Sequence, residues 1–257
     1  MGTALVQGAI RAGVAIANDV IGCDPYPAAR ESFATLTGAN VTAGVAEVIG
    51  QSEVLLLCTK PNDILAAVQE ISQAARGRSL LLISIAAGVT LDTLESASPD
   101  NFRWIRAMPN TPALIGKGAA AYCVGTVATP ADADLAKAIL SSVGIAIEMR
   151  EHLLDAVTGL SGSGPAYVCL VIEALADGGV RSGIPRADAL RLAAQTVMGT
   201  AAMVIETGEH PAVLKDMVTS PGGTTISGLA VLEKHALRSA LIEAVTAATQ
   251  RSADLGK

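Results

Sequence analysis

The stretch TSPGGTTISGL (219–229) concentrates hydroxyls and glycines in a region whose pattern is otherwise helical. A helix-to-helix connection needs only one glycine and a capping hydroxyl. The second of the adjacent glycines Gly222 and Gly223 therefore frees the backbone for a close approach of another kind, and Thr224 and Thr225 follow at once. Another group lies earlier in the chain. Asp24 ends an apolar run, a position where a carboxylate can bind a ribose diol. Asp24-Pro25 is equally a helix start with Asp as N-cap, and the two readings are compatible. Lys60-Pro61 follows EVLLLCT directly, and Ser84-Ile85-Ala86-Ala87-Gly88 closes the next apolar run. Taken singly such segments are ordinary turns; at successive strand ends they occupy the place where open α/β sheets bind ligands. Arg30 is near enough to Asp24 to meet a 2′-phosphate, which leaves NAD and NADP both open.

These positions require elements to carry them. The first part of the chain alternates short apolar runs with helical patterns: strands over 20–24, 53–59, 80–86, 102–107, 119–124 and 145–149, and helices over 1–12, 27–36, 62–75, 91–97 and 131–142. Runs continuous in Val, Leu and Ile belong to strands buried on both faces of a parallel sheet. The alternation predicts a doubly wound α/β domain of the Rossmann type over residues 1–150. Beyond it no strand pattern continues. Helices are expected at 164–182, 186–206, 211–218, 225–235 and 238–253, forming an all-α domain over 151–257. The segments 166–176 and 187–205 are apolar almost all round and must be enclosed. So short a helical domain does not enclose both by itself, which predicts that a second copy covers them.

With 51% hydrophobic but 2% aromatic residues, the interior is packed by Ala, Val, Leu and Ile. A net charge of -6 with so few aromatics argues against a nucleic-acid surface, which needs clustered Lys/Arg and stacking platforms. The apolar runs are too short, or too interrupted by charge, to read as a membrane span. Cys23, Cys58, Cys123 and Cys169 lack Cys-x-x-Cys or His-rich spacing, so buried reduced thiols in a cytoplasmic protein are expected, with no metal. The start MGTALVQGAI has none of the parts of a signal peptide.

MPNTP (108–112), GLSGSGPAYV (159–168), TGEHP (207–211) and LKDMVTSPGGTTISGLAVLE (214–233), with SIAAGVTLD (84–92) before them, together resemble pyrroline-5-carboxylate reductase along nearly the whole chain. The resemblance implies a Rossmann domain binding NADPH or NADH, a helical domain that forms a homodimer, and a possible ring of dimers. It implies that the loop Ser220–Thr225 holds a substrate carboxylate on backbone N–H groups at a helix N-terminus, with Gly222, Gly223 and Thr224 lining it, and that the Thr225 hydroxyl approaches the ring nitrogen. Glu151 falls where members place an acidic residue near the substrate, though a solvated helix-start carboxylate is the competing reading. Ser161 and Ser163 either cap a helix starting at Gly164-Pro165 or face the site. On the cofactor side the resemblance places Gly2 and Asp24, then Cys58, Thr59, Lys60 and Pro61, then Ala86, Ala87 and Asn110. Asp155 reads as a cap or ion-pair residue, and His152, His210 and His235 as surface or capping groups.

In a doubly wound domain the first strand runs into a glycine turn and a helix N-terminus. Here the chain opens already inside the helix, with Gly2, Gly8 and Gly13 on or after it. The pattern predicts that the natural protein extends upstream by about a dozen residues, through a strand and a fingerprint-type glycine turn. Met217, where some family members carry a polar residue near the cofactor, is a second departure.

Overall fold

The computed structural model describes residues 1–256. It forms two compact units, one of residues Met1–Ser163 together with the chain from Thr246 onward, the other of Gly164–Val245.

The first unit opens with helix α1 (Gly2–Arg11), strand β1 (Ile21–Cys23), helix α2 (Pro27–Thr37), strand β2 (Asn40–Thr42) and helix α3 (Val45–Gln51). Strand β3 (Val54–Leu57), helix α4 (Ile64–Ala75), strand β4 (Leu81–Ser84), helix α5 (Leu91–Ser96), strand β5 (Arg103–Met108) and strand β6 (Gly118–Val124) follow, then helix α6 (Pro130–Ser141), strand β7 (Gly144–Glu148) and the short helix α7 (Leu154–Val157). Side chains alternate across the central strands. Leu82 and Trp104 enter one core with Leu55, Leu57, Ile64 and Phe102, while Leu81, Ile83 and Ile105 enter a second with Leu5, Ala136 and Leu140. Both faces are covered, which is why these strands read as unbroken apolar runs.

The expected parallel sheet differs from the observed one in two ways. First, β5 and β6 pair antiparallel, Ile105 opposite Val124. The link between them is the MPNTP segment and a 3-10 turn at Thr111–Ile115, with no crossover helix to return the chain to the same direction. Second, the strands form two sheets, β1-β2 and β3-β4-β5-β6-β7. Ile21 of β1 nevertheless packs against the core that holds Leu55 and Leu57 of β3. Among the described residues β1 therefore bonds only β2 and β3 only β4, although both strands border one core.

The second unit holds helix α8 (Gly164–Arg181), helix α9 (Arg186–Thr207), helix α10 (Pro211–Met217), helix α11 (Thr224–Lys234) and most of the first half of helix α12 (Leu237–Leu255). α8 and α9 pack over Ala176, Ala189 and Ala193. Much of their apolar surface stays open, with Leu170 67% and Ile205 81% exposed. The chain by itself thus leaves uncovered the helices whose composition demands a cover. A π turn at Thr158–Gly162 joins α7 to α8, and the resulting helical run Glu151–Arg181, 31 residues, is long and apolar enough by length and composition to cross a bilayer. The sequence pattern missed it because the run was divided at Gly164.

The cysteines depart from expectation. Only Cys123 is buried; Cys23, Cys58 and Cys169 are exposed, all four unpaired. Cys23 and Cys58 lie at or just past the ends of β1 and β3, and Cys169 lies on the uncovered helix α8.

Candidate active site

The cofactor-side residues of the sequence gather at the C-terminal ends of β1, β3 and β4. Leu57 and Ser84 are in register across β3 and β4, so Cys58–Pro61 and Ile85–Gly88 leave the sheet side by side. Cys58, Thr59, Lys60 and Pro61 are exposed. Pro61 opens a 3-10 turn, where its missing N–H is no loss. Ala86 is buried, and its N–H donates to Ser84 Oγ at 3.3 Å. Gly2 begins α1 without a side-chain cap, and a Cβ there would lie 2.9 Å from Cys58 Sγ. That fit lets the start of α1 approach the end of β3 while its first N–H groups, which favour anions, stay free of side-chain partners. A dinucleotide phosphate suits this end of the helix.

Asp24 is not the N-cap of α2; Tyr26 is. Asp24 Oδ1 instead accepts the Tyr26 N–H at 2.8 Å in an Asx turn, and Arg30 Nη1 donates to the Asp24 carbonyl at 2.6 Å. The side chains of Asp24 and Arg30 are thus organised around one turn beyond β1. Asn110 is buried and bridges three segments: its Nδ2 donates to the Ser161 carbonyl at 3.0 Å and its Oδ1 accepts the Ala119 N–H at 2.9 Å. Ser161 caps nothing. Its hydroxyl donates to the Val157 carbonyl at 3.1 Å, because the helix is already running when it reaches that residue. Ser163 ends the π turn and its N–H donates to Thr158.

Glu151 is neither solvated nor free. Its Oε1 accepts the Leu91 N–H at 2.6 Å, the first of α5, and pairs with Arg106 Nη1 at 2.9 Å. Arg106 is buried on β5 and also faces Asp155 at 3.8 Å. Sequence reasoning passed over Arg106, since a cation inside an apolar strand and its carboxylate lie 45 residues apart. Glu151 borders an open cleft of about 520 Å³ that also holds Asp92, Glu95, Glu148 and Arg150. In its wall, burial and then the charge of Glu151 push the Cys123 thiol up to about 12, so it is protonated and no nucleophile. Among the described residues no group of metal-ligating side chains is assembled.

The loop ahead of α11 lies in the second unit. Gly222 has φ 69°, a left-handed conformation that glycine adopts without strain. Gly223 is the N-cap of α11 in extended geometry, and a Cβ there would stand 2.3 Å from Ser220 Oγ. The two glycines thus have separate tasks, one to turn the chain and one to seat the Ser220 hydroxyl. No side chain caps α11, so the N–H groups of Thr224 and Thr225 are left to an outside acceptor. Thr225 is half-buried and Thr224 exposed. Of the histidines, His210 caps α10 through Nδ1, which accepts the Ala212 N–H at 3.2 Å, while His152 and His235 are exposed.

A doubly wound unit with ligand-type residues at successive strand ends, joined to a helical unit with an anion-ready loop, defines a dinucleotide-dependent oxidoreductase of the Rossmann type. Two family models match the chain: "NADP oxidoreductase coenzyme F420-dependent" over residues 1–88 and "Pyrroline-5-carboxylate reductase dimerisation" over residues 151–255. The pyrroline-5-carboxylate reductase of Synechocystis is 51% identical over 239 residues, 93% of this chain and 88% of its own length, and that of Methanosarcina acetivorans is 44% identical over all of this chain and 95% of its own. Among solved structures, the pyrroline-5-carboxylate reductase of Coxiella burnetii superposes with a TM-score of 0.92 at 33% identity, covering 100% of this chain and 95% of its own. The Plasmodium falciparum enzyme with NADP bound gives 0.89 at 32% identity, with the same coverage. The chain belongs to the pyrroline-5-carboxylate reductase family.

Proposed function

We propose that this protein reduces 1-pyrroline-5-carboxylate to L-proline with a hydride from NADPH or NADH, the last step of proline biosynthesis. The observation that carries the reading is the loop Ser220–Thr225, where a left-handed Gly222 and a Cβ-free Gly223 open onto the uncapped start of α11. Its backbone donors suit a carboxylate, an interaction worth up to about 2 kcal/mol when partly buried. The Thr225 hydroxyl then stands one residue into the helix, where it can hold the ring nitrogen as the imine becomes an amine. The substrate accepts hydride as its iminium, at the carbon doubly bonded to nitrogen. Neither a metal nor a covalent nucleophile is needed for that step.

Gly2 and the first turn of α1 would hold the pyrophosphate, Asp24 or Arg30 the adenosine ribose, and Lys60, Pro61, Ala86, Ala87 and Asn110 the remaining cofactor contacts. The bound nicotinamide supplies the hydride; the protein's part is to orient the ring against it at roughly 3 to 3.5 Å. Nucleotide binding falls to residues 1–150, and dimerisation to residues 151–257. The exposed apolar faces of α8 and α9 are the surface a second copy covers, and dimers of this kind can close into a ring. Four unpaired cysteines and a pathway drawing on NAD(P)H suit the cytoplasm.

The test is NAD(P)H oxidation by the purified chain with five- and six-membered cyclic imino acids. Turnover confined to the five-membered ring supports the proposal. Turnover of the six-membered ring alone would replace the substrate, and none with either would remove the activity.

A further inference from the structure

The last turn of α12 returns to the nucleotide-binding unit and ends against the loop that follows β4. Ser252 is the one buried residue of α12, and its hydroxyl donates to Asp155 Oδ1 at 2.7 Å. Asp155 faces the buried guanidinium of Arg106, which also holds Glu151, and Glu151 in turn accepts the first N–H of α5. The same turn meets the loop directly. A Cβ on Gly88, whose φ is 77°, would lie 3.2 Å from Leu255 Cβ and 3.4 Å from the Ser252 carbonyl. A Cβ on Gly256 would lie 2.4 Å from the Gly88 carbonyl. The segment from Ala86 to Leu91 is therefore gripped at both ends. Gly88 is pressed by residues 252–256, and Leu91 is tied through Glu151 to the arginine that also anchors Ser252.

We infer that the end of α12, through Ser252 and its link to Asp155 and Arg106, is a positioning element that fixes the cofactor-side loop Ala86–Gly88. This rests on the functional reading above, since the loop has a cofactor to meet only if the protein binds NAD(P)H. The physical basis is local. Ala86 is held to Ser84 through a single hydrogen bond, and Gly88 has conformational freedom that no side chain of its own restrains. Something outside the loop must select one conformation, and residues 252–256 are packed where that selection is made. Ser252 and Arg106 act through the loop and are positioning residues.

Two variants test this. Ser252→Ala removes the hydrogen bond to Asp155. Gly256→Ala, at an exposed residue beyond α12, leaves the core untouched but forces the Gly88 carbonyl away. Three quantities are read: amide hydrogen exchange over residues 84–92 without cofactor, the NADPH dissociation constant by titration, and steady-state KM and kcat. Both variants are expected to speed exchange at Ala87–Leu91. They should raise the Kd and KM for NADPH by about three- to tenfold, the effect of one lost hydrogen bond, with kcat and the KM for the imino acid within about twofold. Asp155→Asn keeps an acceptor for Ser252 and should fall between wild type and Ser252→Ala. If exchange over 84–92 and the NADPH Kd are unchanged in both variants, the inference is wrong, even where melting temperature drops. Equal losses toward both substrates would also overturn it, by showing general damage. Wild-type protein that binds no NADPH would take down the functional reading and this inference with it.

Discussion

Gly223→Ala separates the two glycine tasks in the loop before α11. Gly223 has φ -77° and ψ 177°, a region alanine occupies freely, so the substitution brings no backbone strain. Its Cβ would stand 2.3 Å from Ser220 Oγ and 3.2 Å from the Ser220 carbonyl. The carbonyl needs to give by only a few tenths of an ångström, whereas the hydroxyl must rotate to another well, at a cost of about 1 kcal/mol or less in stability. Displacing that hydroxyl removes one hydrogen bond from a bound carboxylate, worth about 1.5 to 3 kcal/mol, or roughly a 10- to 150-fold rise in KM for the imino acid. Ser220→Ala alone should raise KM by a similar factor, and Gly223→Ala should add little on that background, because both remove the same contact. Gly222→Ala is the control. With φ 69° and nothing within 4 Å of its Cβ, it should cost about 1 to 2 kcal/mol in stability and leave KM nearly unchanged. The assay is initial rate against imino acid at saturating NADPH, with thermal melting on each variant. Fully additive effects of Ser220→Ala and Gly223→Ala, or an equal rise in the KM for NADPH, would refute the reasoning.

Further outcomes follow from other parts of the structure. Thr225→Ala should leave melting unchanged and lower turnover by the value of one hydrogen bond to a developing amine, about 1 to 3 kcal/mol or roughly five- to 150-fold; identical kcat and KM would remove Thr225 from the site. Leu170→Asp, on an exposed apolar face of α8, should shift the protein toward monomer in light scattering; a wild type already monomeric at micromolar concentration would contradict the covered-face argument. At Asp132 burial opposes the charge, but hydrogen bonds from the Thr129 side chain and backbone and from Arg103 outweigh it and hold the carboxyl below its ordinary 3.8. Its contribution is therefore present above about pH 4 and lost as pH falls through the lower folded value, so the melting gap between wild type and Asp132→Asn should narrow in acid. An apolar strand ending in Gly-x-Gly-x, fused before Met1, should bond both β1 and β3; four newly buried side chains at about 1.5 to 3 kcal/mol each set the upper scale of the rise in stability, and unchanged melting and NADPH affinity would show that β1 and β3 do not accept a strand.

The legible parts of the fold were those with a strong period. Helices such as α4, α6 and α9 and the strands β3, β4 and β5 declared themselves because each feeds a core on one or both sides. β2 and α3 did not: Asn40–Thr42 is a three-residue strand open to solvent, and neither alternation nor an apolar run marks it. The direction of β6 was hidden for a different reason. Its residues specify a strand, but direction is set by the connection, and a 3-10 turn leaves no helical signal to read. Near the site, Gly222 and Gly223 were legible because their demands are local backbone demands. The Arg106 cluster was not, since it joins β5, α5, α7 and α12, segments that only the folded chain brings together.

The central claim is that hydride passes from the nicotinamide to the imine carbon of a five-membered cyclic imino acid. The most direct measurement uses NADPH deuterated at the transferring carbon, with the purified protein and 1-pyrroline-5-carboxylate, and locates the label in the product by NMR. The account predicts L-proline carrying a single deuterium on the ring carbon beside nitrogen, on the side away from the carboxylate. Proline without label, label at any other carbon, or deuterium retained on the cofactor would contradict it.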